Sequence, residues 1–543
     1  MAEKLRHPTI PRLGPAAALT AAVCALVALA PASASAASRE HLRDSFLLSS
    51  SATGGLPNGP SRNPSISMDA RYSRVIAYDS EASNIVGGDS NGVRDVFAVK
   101  RRAPFSNQGE GWVPGETFLV SDGLGGRPAN GPSYNPDVSG DPGIAPRCIA
   151  FVSEASNLVR GDTNRRADVF VHHLGSGKIE RVSVSTRGGQ ANGSSYEVAV
   201  DGDCTRIVFS SSANNLALTS LRGYSADRQR ALRTLRTGKP RRGTRQVYMH
   251  VLRASGIERF LKGATFLISA DGRGRPGRGS SYEPDIDIKR GERVVFTSEA
   301  ALAAGDGNGQ PDVYMSELNE YVSGKGSKAT TLRSFKPRTR LVSARADGRA
   351  GNGASSSPSA DGFGRHIAYQ TTATDLLPGD TNGVPDIVRA TVGSGAPARL
   401  WASRTTLDGE KIGNGGSYAP VISTGGTNAI FLSDATNFET SGRLFRHGDV
   451  NGVRDLFIWT ANRHRTFLQS KSSDEGPLGL PVTNLALSAR TNYILMETAS
   501  PFTDLNVVRS HHPDWLRDPL GVQAHAAQDP AFNQIYLRYL GPE

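Results

Sequence analysis

Asp380-Thr381-Asn382-Gly383-Val384-Pro385-Asp386 joins two short apolar runs, and the pattern recurs four times along the chain. The other copies are Asp89-Ser90-Asn91-Gly92-Val93-Arg94-Asp95, Asp162-Thr163-Asn164-Arg165-Arg166-Ala167-Asp168, Asp306-Gly307-Asn308-Gly309-Gln310-Pro311-Asp312 and Asp449-Val450-Asn451-Gly452-Val453-Arg454-Asp455. Successive copies are 73, 144, 74 and 69 residues apart, the second step being two periods. Self-similarity at a fixed period marks a repeat architecture. It overrides chain length, since 543 residues would otherwise suggest three or four domains.

Each repeat holds four strand-like segments in one order. In the second repeat these are Asn135–Ser139, Cys148–Ser153, Asp168–His172 after the acidic loop, and Arg181–Ser185. Short apolar runs bounded by Gly, Asp, Asn and Ser read as strands. The second and third segments each occur seven times, but the fourth only six times in register. Its seventh copy is Asp44–Ser49, ahead of the first repeat, while the last repeat stops after its third strand. The pattern therefore predicts an all-β, seven-bladed β-propeller of four-stranded blades. The N-terminal strand 44–49 completes the last blade and closes the ring. One such domain is expected over residues 37–543, with insertions at 221–245 and 506–532. Sixty glycines and 7% aromatics suit a turn-rich all-β chain.

The run Pro64-Ser-Ile-Ser67, Val75-Ile-Ala-Tyr-Asp-Ser80, Gly88-Asp-Ser-Asn-Gly-Val-Arg-Asp-Val-Phe97 resembles the WD-repeat-like blades of TolB-type propellers. These occur in exported bacterial proteins, and the resemblance covers nearly all of residues 44–540. It implies the propeller fold, not an activity.

Export also follows from the N-terminus. Lys4, Arg6 and Arg12 precede a largely apolar run, Ala16–Ala30, and the small residues Pro31–Ala36. This is the layout of a signal peptide, residues 1–36, and predicts a secreted or periplasmic protein at the cell-envelope exterior. No later segment is long and apolar enough for a membrane span. Without residues 1–36 the net charge falls from +11 to about +9. Cys148 and Cys204 then remain. An oxidising compartment permits a bridge between them, and two separate thiols stay equally open.

In an up-and-down blade, the loop between second and third strands shares a face with the loop leading into the next blade. Both carry polar signatures, including Asn-Gly pairs and recurrent Ser-Tyr. The acidic loops have two readings. Asp89, Asn91 and Asp95, Asp306, Asn308 and Asp312, Asp380, Asn382 and Asp386, and Asp449, Asn451 and Asp455 could each supply about half of the six to eight oxygens that calcium takes. The favoured alternative is a tight turn, with Asp and Asn bonding their own backbone and Gly supplying positive φ. Arg165 and Arg166 argue against a metal in the second loop.

The insertions carry their own signals. Leu221–Arg245 has nine Lys and Arg against Asp227. Such a run can attract an anionic cell-surface polymer, or be simply a solvated, partly disordered loop. Tyr224 is its one aromatic residue, so specific nucleic-acid recognition is not expected. The second insertion holds His511, His512, Asp514, Trp515 and His525, and reads as a surface loop. No G-x-S-x-G elbow or H-E-x-x-H pair occurs. The expected function is that of an exported, monomeric, non-catalytic propeller binding a protein or polymer through its loop-rich face. The alternative is a secreted hydrolase or lyase with a site in the central channel, where perturbed carboxylates and histidines would cluster.

Overall fold

The second strands are buried almost throughout. Val75–Ser80, Cys148–Ser153, Arg206–Ser211, Asn428–Ser433 and Tyr493–Thr498 are buried at all six positions. A strand covered on both faces has no polar side, hence the apolar runs in place of alternation. In this computed structural model the described residues are 45–540 apart from 71, 104–111, 323–332, 394–396, 405–411, 439–448, 450, 472–477 and 500–532. The expected signal segment and the His511–His525 cluster lie outside them.

Seven four-stranded antiparallel sheets form the ring. Blade 1 comprises Ser61–Ile66, Val75–Ser80, Asp95–Arg101 and Pro114–Leu119. Blade 7 pairs Val482–Leu487, Tyr493–Thr498 and Gln534–Tyr539 with the N-terminal strand Ser45–Leu47. Ser45, Phe46 and Leu47 lie opposite Arg538, Leu537 and Tyr536. The expected circular closure is therefore observed, and it leaves no terminal blade with an uncovered face and only short, protected strand edges.

A hydrophobic cluster fills each cleft between neighbouring blades. Between blades 1 and 2, for example, Ala77, Val96 and Ala98 meet Ile149, Phe151 and Phe170. Directly opposed aromatic pairs on second and third strands recur at one register. They include Tyr78–Phe97, Phe151–Phe170 and Phe209–Tyr248, with ring centroids 6.1, 5.9 and 5.9 Å apart. Such cross-strand pairs couple the two strands beyond area burial alone.

Three expectations change or resolve. The fourth strands lie earlier than the sequence pattern placed them, as at Pro114–Leu119, Ile179–Arg181 and Ala398–Trp401. The serines that follow leave the ladder to use their hydroxyls. Ser121 Oγ accepts from Val96 N (3.0 Å) and donates to Asp95 Oδ1 (2.6 Å). The insertion at 221–245 is folded, with a helix at Ala226–Leu232. Cys148 and Cys204, left open by the sequence, form a disulfide between blades 2 and 3, with Cα atoms 6.1 Å apart.

Candidate functional site

The first strand of every blade lines the central channel and carries a register shift midway. In five blades the residue at the bulge precedes a proline and is left-handed. These residues are Asn63, Asn135, Glu283, Ser357 and Ala419, with φ between 48° and 53°. A non-glycine residue in this region persists only where its surroundings hold it. Here the bulge amides bond the neighbouring blade. Asn63 N donates to Glu497 (3.0 Å), Asn135 N to Asp79 (3.0 Å) and Ser357 N to Glu283 (2.8 Å).

The resulting channel cavity measures about 430 Å³ and includes Asp137, Glu197, Glu283 and Asp285 in its lining. Burial pushes Asp137 up to about 7, and the charge of Asp285 adds to the effect. Burial likewise lifts Asp285 to about 6 and Asp79 to about 6. These carboxylates also fasten blades together. Asp137 accepts from Ser65 Oγ (3.0 Å) and Val200 N (2.8 Å), and Asp285 accepts from Ala360 N (2.8 Å). No histidine lines this cavity among the described residues. His172 packs against Phe118, while His250 and His366 bond Thr265 and Thr391.

At the end nearer the acidic loops, the recurrent Ser-Tyr residues form a half-buried rim. Tyr134, Tyr196, Tyr282 and Tyr418 each take the second position of a first strand. The Arg245 guanidinium lies 4.1 Å from the Tyr196 ring centroid and 5.8 Å from that of Tyr282, and Arg454 lies 4.2 Å from that of Tyr418. Glu197 and Asp434 hold these arginines, at 2.7 and 2.9 Å. Arg62 and Arg94 both reach Glu81 on the same rim. At the opposite end the turns between first and second strands lean on one another, as in Lys289 N to Gly362 O (3.0 Å) and Gly362 N to Thr424 O (2.9 Å). Lys289 Nζ also reaches across to Asp141 (3.0 Å).

The acidic loops lie away from this channel and are built as turns. Asn91 Nδ2 donates to Asp95 Oδ2 (2.5 Å) and to Ala129 O (3.2 Å), and Asn91 Oδ1 accepts from Val93 N (3.1 Å). Asn308, Asn382 and Asn451 repeat the arrangement with Asp312, Asp386 and Asp455. Gly92, Gly309, Gly383 and Gly452 all have positive φ. Each loop thereby pins the start of a third strand to the loop entering the next blade. Asp89 stands near Asp95, and its charge adds to the burial that lifts Asp95 to about 6. Among the described residues no three His, Cys, Asp or Glu side chains gather as a metal site. With the Asn and strand-starting Asp side chains already engaged, calorimetric titration with millimolar calcium is expected to give no binding heat. Saturable binding of about four ions would restore the cation reading.

Sequence reasoning singled out the acidic loops and Ser-Tyr positions but missed the channel carboxylates. Their available signal was the acidic or Asn residue beside proline in the first strands, Asn135-Pro136-Asp137 and Glu283-Pro284-Asp285.

No family model matches this chain, and no curated protein matches it. Among solved structures it is similar to an oligogalacturonate lyase in complex with manganese, at 9% identity and a TM-score of 0.44, covering 92% of this chain and 96% of that one. A prolyl endopeptidase gives 10% identity and a TM-score of 0.41, covering 81% of this chain and 45% of that one. The putative TolB from Agrobacterium tumefaciens gives 12% and 0.32, covering 65% and 84%.

Proposed function

We propose that this protein is a non-catalytic binding propeller that takes a protein segment or polymer at the rim of its channel on the loop-rich face. The observation carrying this reading is the set of four tyrosines on the first strands of blades 2, 3, 4 and 6, three of them with an arginine guanidinium over the ring. It offers flat apolar faces beside charged hydrogen-bond donors, the mixture that dominates binding hot spots. The channel carboxylates below it are engaged in fastening blades, which favours a structural role for them. Export fits the disulfide, since such bridges persist in oxidising compartments.

One observation favours a channel-centred hydrolase or lyase instead. Asp137, held near 7, is suited to proton transfer at neutral pH. Arrays of soluble peptides and polysaccharides, read for both retention and turnover, separate the two. Retention without turnover is expected, falling at least tenfold in Tyr196→Ala/Tyr282→Ala and persisting in Asp137→Asn. Turnover abolished by Asp137→Asn would establish the enzyme.

A further inference from the structure

The arginine-rich insertion is an ordered shelf. Ser225 Oγ caps the helix Ala226–Leu232 by accepting from Arg228 N, and a 3-10 turn, Arg233–Leu235, follows. Ala231, Leu232 and Leu235 are buried in the cluster shared by blades 3 and 4, together with Val247, Phe266 and Leu341. The guanidiniums of Arg187 and Arg228 lie over the Tyr224 ring, 5.3 and 5.2 Å from its centroid. Gly238 N donates to Gly274 O (2.9 Å), joining the shelf to the loop that enters blade 4. That loop adds Arg273.

The charge on this shelf is largely uncompensated. Asp227 pairs with Arg230, and Glu197 with Arg245. Arg233, Arg236, Lys239, Arg241, Arg242 and Arg273 are all exposed, and none has an ion-pair partner among the described residues. Anchoring by the buried helix face removes much of the ordering cost that a loose basic loop would carry on binding.

We propose that this shelf binds a linear polyol-phosphate polymer through its repeated phosphate charges. Five of these six cations are arginines, whose planar forks match phosphate oxygens bidentately. The one aromatic of the insertion already has two guanidiniums over its ring, and no second aromatic of the insertion stands beside it, so bases find no row of stacking rings. Its buried apolar residues point into the core, leaving no wedge for a lipid surface. The remaining chemistry is charge along a flexible chain without bases or acyl groups. This inference is independent of the channel-rim reading.

The test uses the full chain and a fluorescent poly(glycerol phosphate) of about twenty units, followed by anisotropy between 25 and 200 mM NaCl. At about 0.7 per neutralised phosphate, five contacts predict a log–log salt slope on the order of −3.5. The variant Arg233→Gln/Arg236→Gln/Arg241→Gln/Arg242→Gln should lose at least tenfold in affinity at 50 mM salt and more than half of the slope. Tyr196→Ala/Tyr282→Ala should bind as the wild type does. Should the quadruple variant lose its circular dichroism signal, the two adjacent pairs are replaced separately. Absent or salt-independent binding, or undiminished binding by the Gln variants, overturns the proposal. So does tighter binding to polyglutamate, single-stranded DNA or anionic vesicles at equal charge.

Discussion

Between pH 6.5 and pH 8.5 the folded protein is expected to lose stability on the order of 5 kcal/mol, with the thermal midpoint falling as pH rises. The cause is a set of buried aspartates whose protonated form the fold prefers. Burial is the leading cause throughout. It pushes Asp95 and Asp168 up to about 6, Asp312 and Asp386 to about 7, and Asp455 to about 8, with the paired loop aspartate adding to the rise. Asp137 and Asp287 reach about 7, and Asp79 and Asp285 about 6. In the unfolded chain the same side chains titrate near the ordinary value of 3.8. Between 3.8 and these raised values the native state therefore holds protons that the unfolded state has released. The stabilisation is complete below 3.8 and is lost as pH climbs through 6 to 8. Each unit of difference at one site corresponds to about 1.4 kcal/mol, so a modest fraction of the set suffices. Buried His172 and His250 work the other way, since burial pushes both down to about 4 and the fold gains stability from their neutral form as pH rises from 4 to 6.5. Differential scanning calorimetry across this range measures the slope, and Asp455→Asn should flatten part of it near pH 8. A midpoint that is level or rises from pH 6.5 to 8.5 would refute the account. A slope abolished by calcium would instead mean that the acidic loops hold a cation at high pH.

How far the sequence could be read depended on whether a signal repeats. The second and third strand segments recur seven times and counted the blades, while the five acidic loops marked one face. Asp44–Ser49 matched other fourth strands and thereby foretold the closure that Ser45–Leu47 makes with Gln534–Tyr539. The channel was less legible. A residue before proline ordinarily stays extended, yet Asn63, Asn135, Glu283, Ser357 and Ala419 are left-handed. Only contacts with the preceding blade hold several of them there, and such contacts are absent from a linear pattern. Strand ends failed for a related reason. Ser121 and Ser403 continue the β-like composition, but their hydroxyls are drawn to Asp95 and Asp386. In the insertion, the apolar face of Ala231, Leu232 and Leu235 was hidden within a run dominated by arginine.

Loss of the Cys148–Cys204 bridge is expected to cost about 4 kcal/mol, because it closes a long loop across two blades. The two residues are 56 positions apart, and both are fully buried. Cys148 opens the second strand of blade 2, and Cys204 sits in the turn between the first two strands of blade 3. Blades otherwise meet through side-chain packing and scattered hydrogen bonds, without a shared ladder. A covalent tie at this cleft therefore adds a restraint between two blades that share no strand ladder. Burial shields the bridge from reductant in the folded state, so reduction should proceed only as fast as the cleft opens. The double variant Cys148→Ala/Cys204→Ala tests this cleanly, since a single substitution would leave a free thiol able to form mixed disulfides. Urea unfolding should show a lower midpoint for the variant, and adding reductant should move the wild-type curve towards it while leaving the variant unmoved. A variant within about 1 kcal/mol of wild type would refute the loop-closure account. Two free thiols titrated in freshly denatured, unreduced wild type would refute the bridge itself.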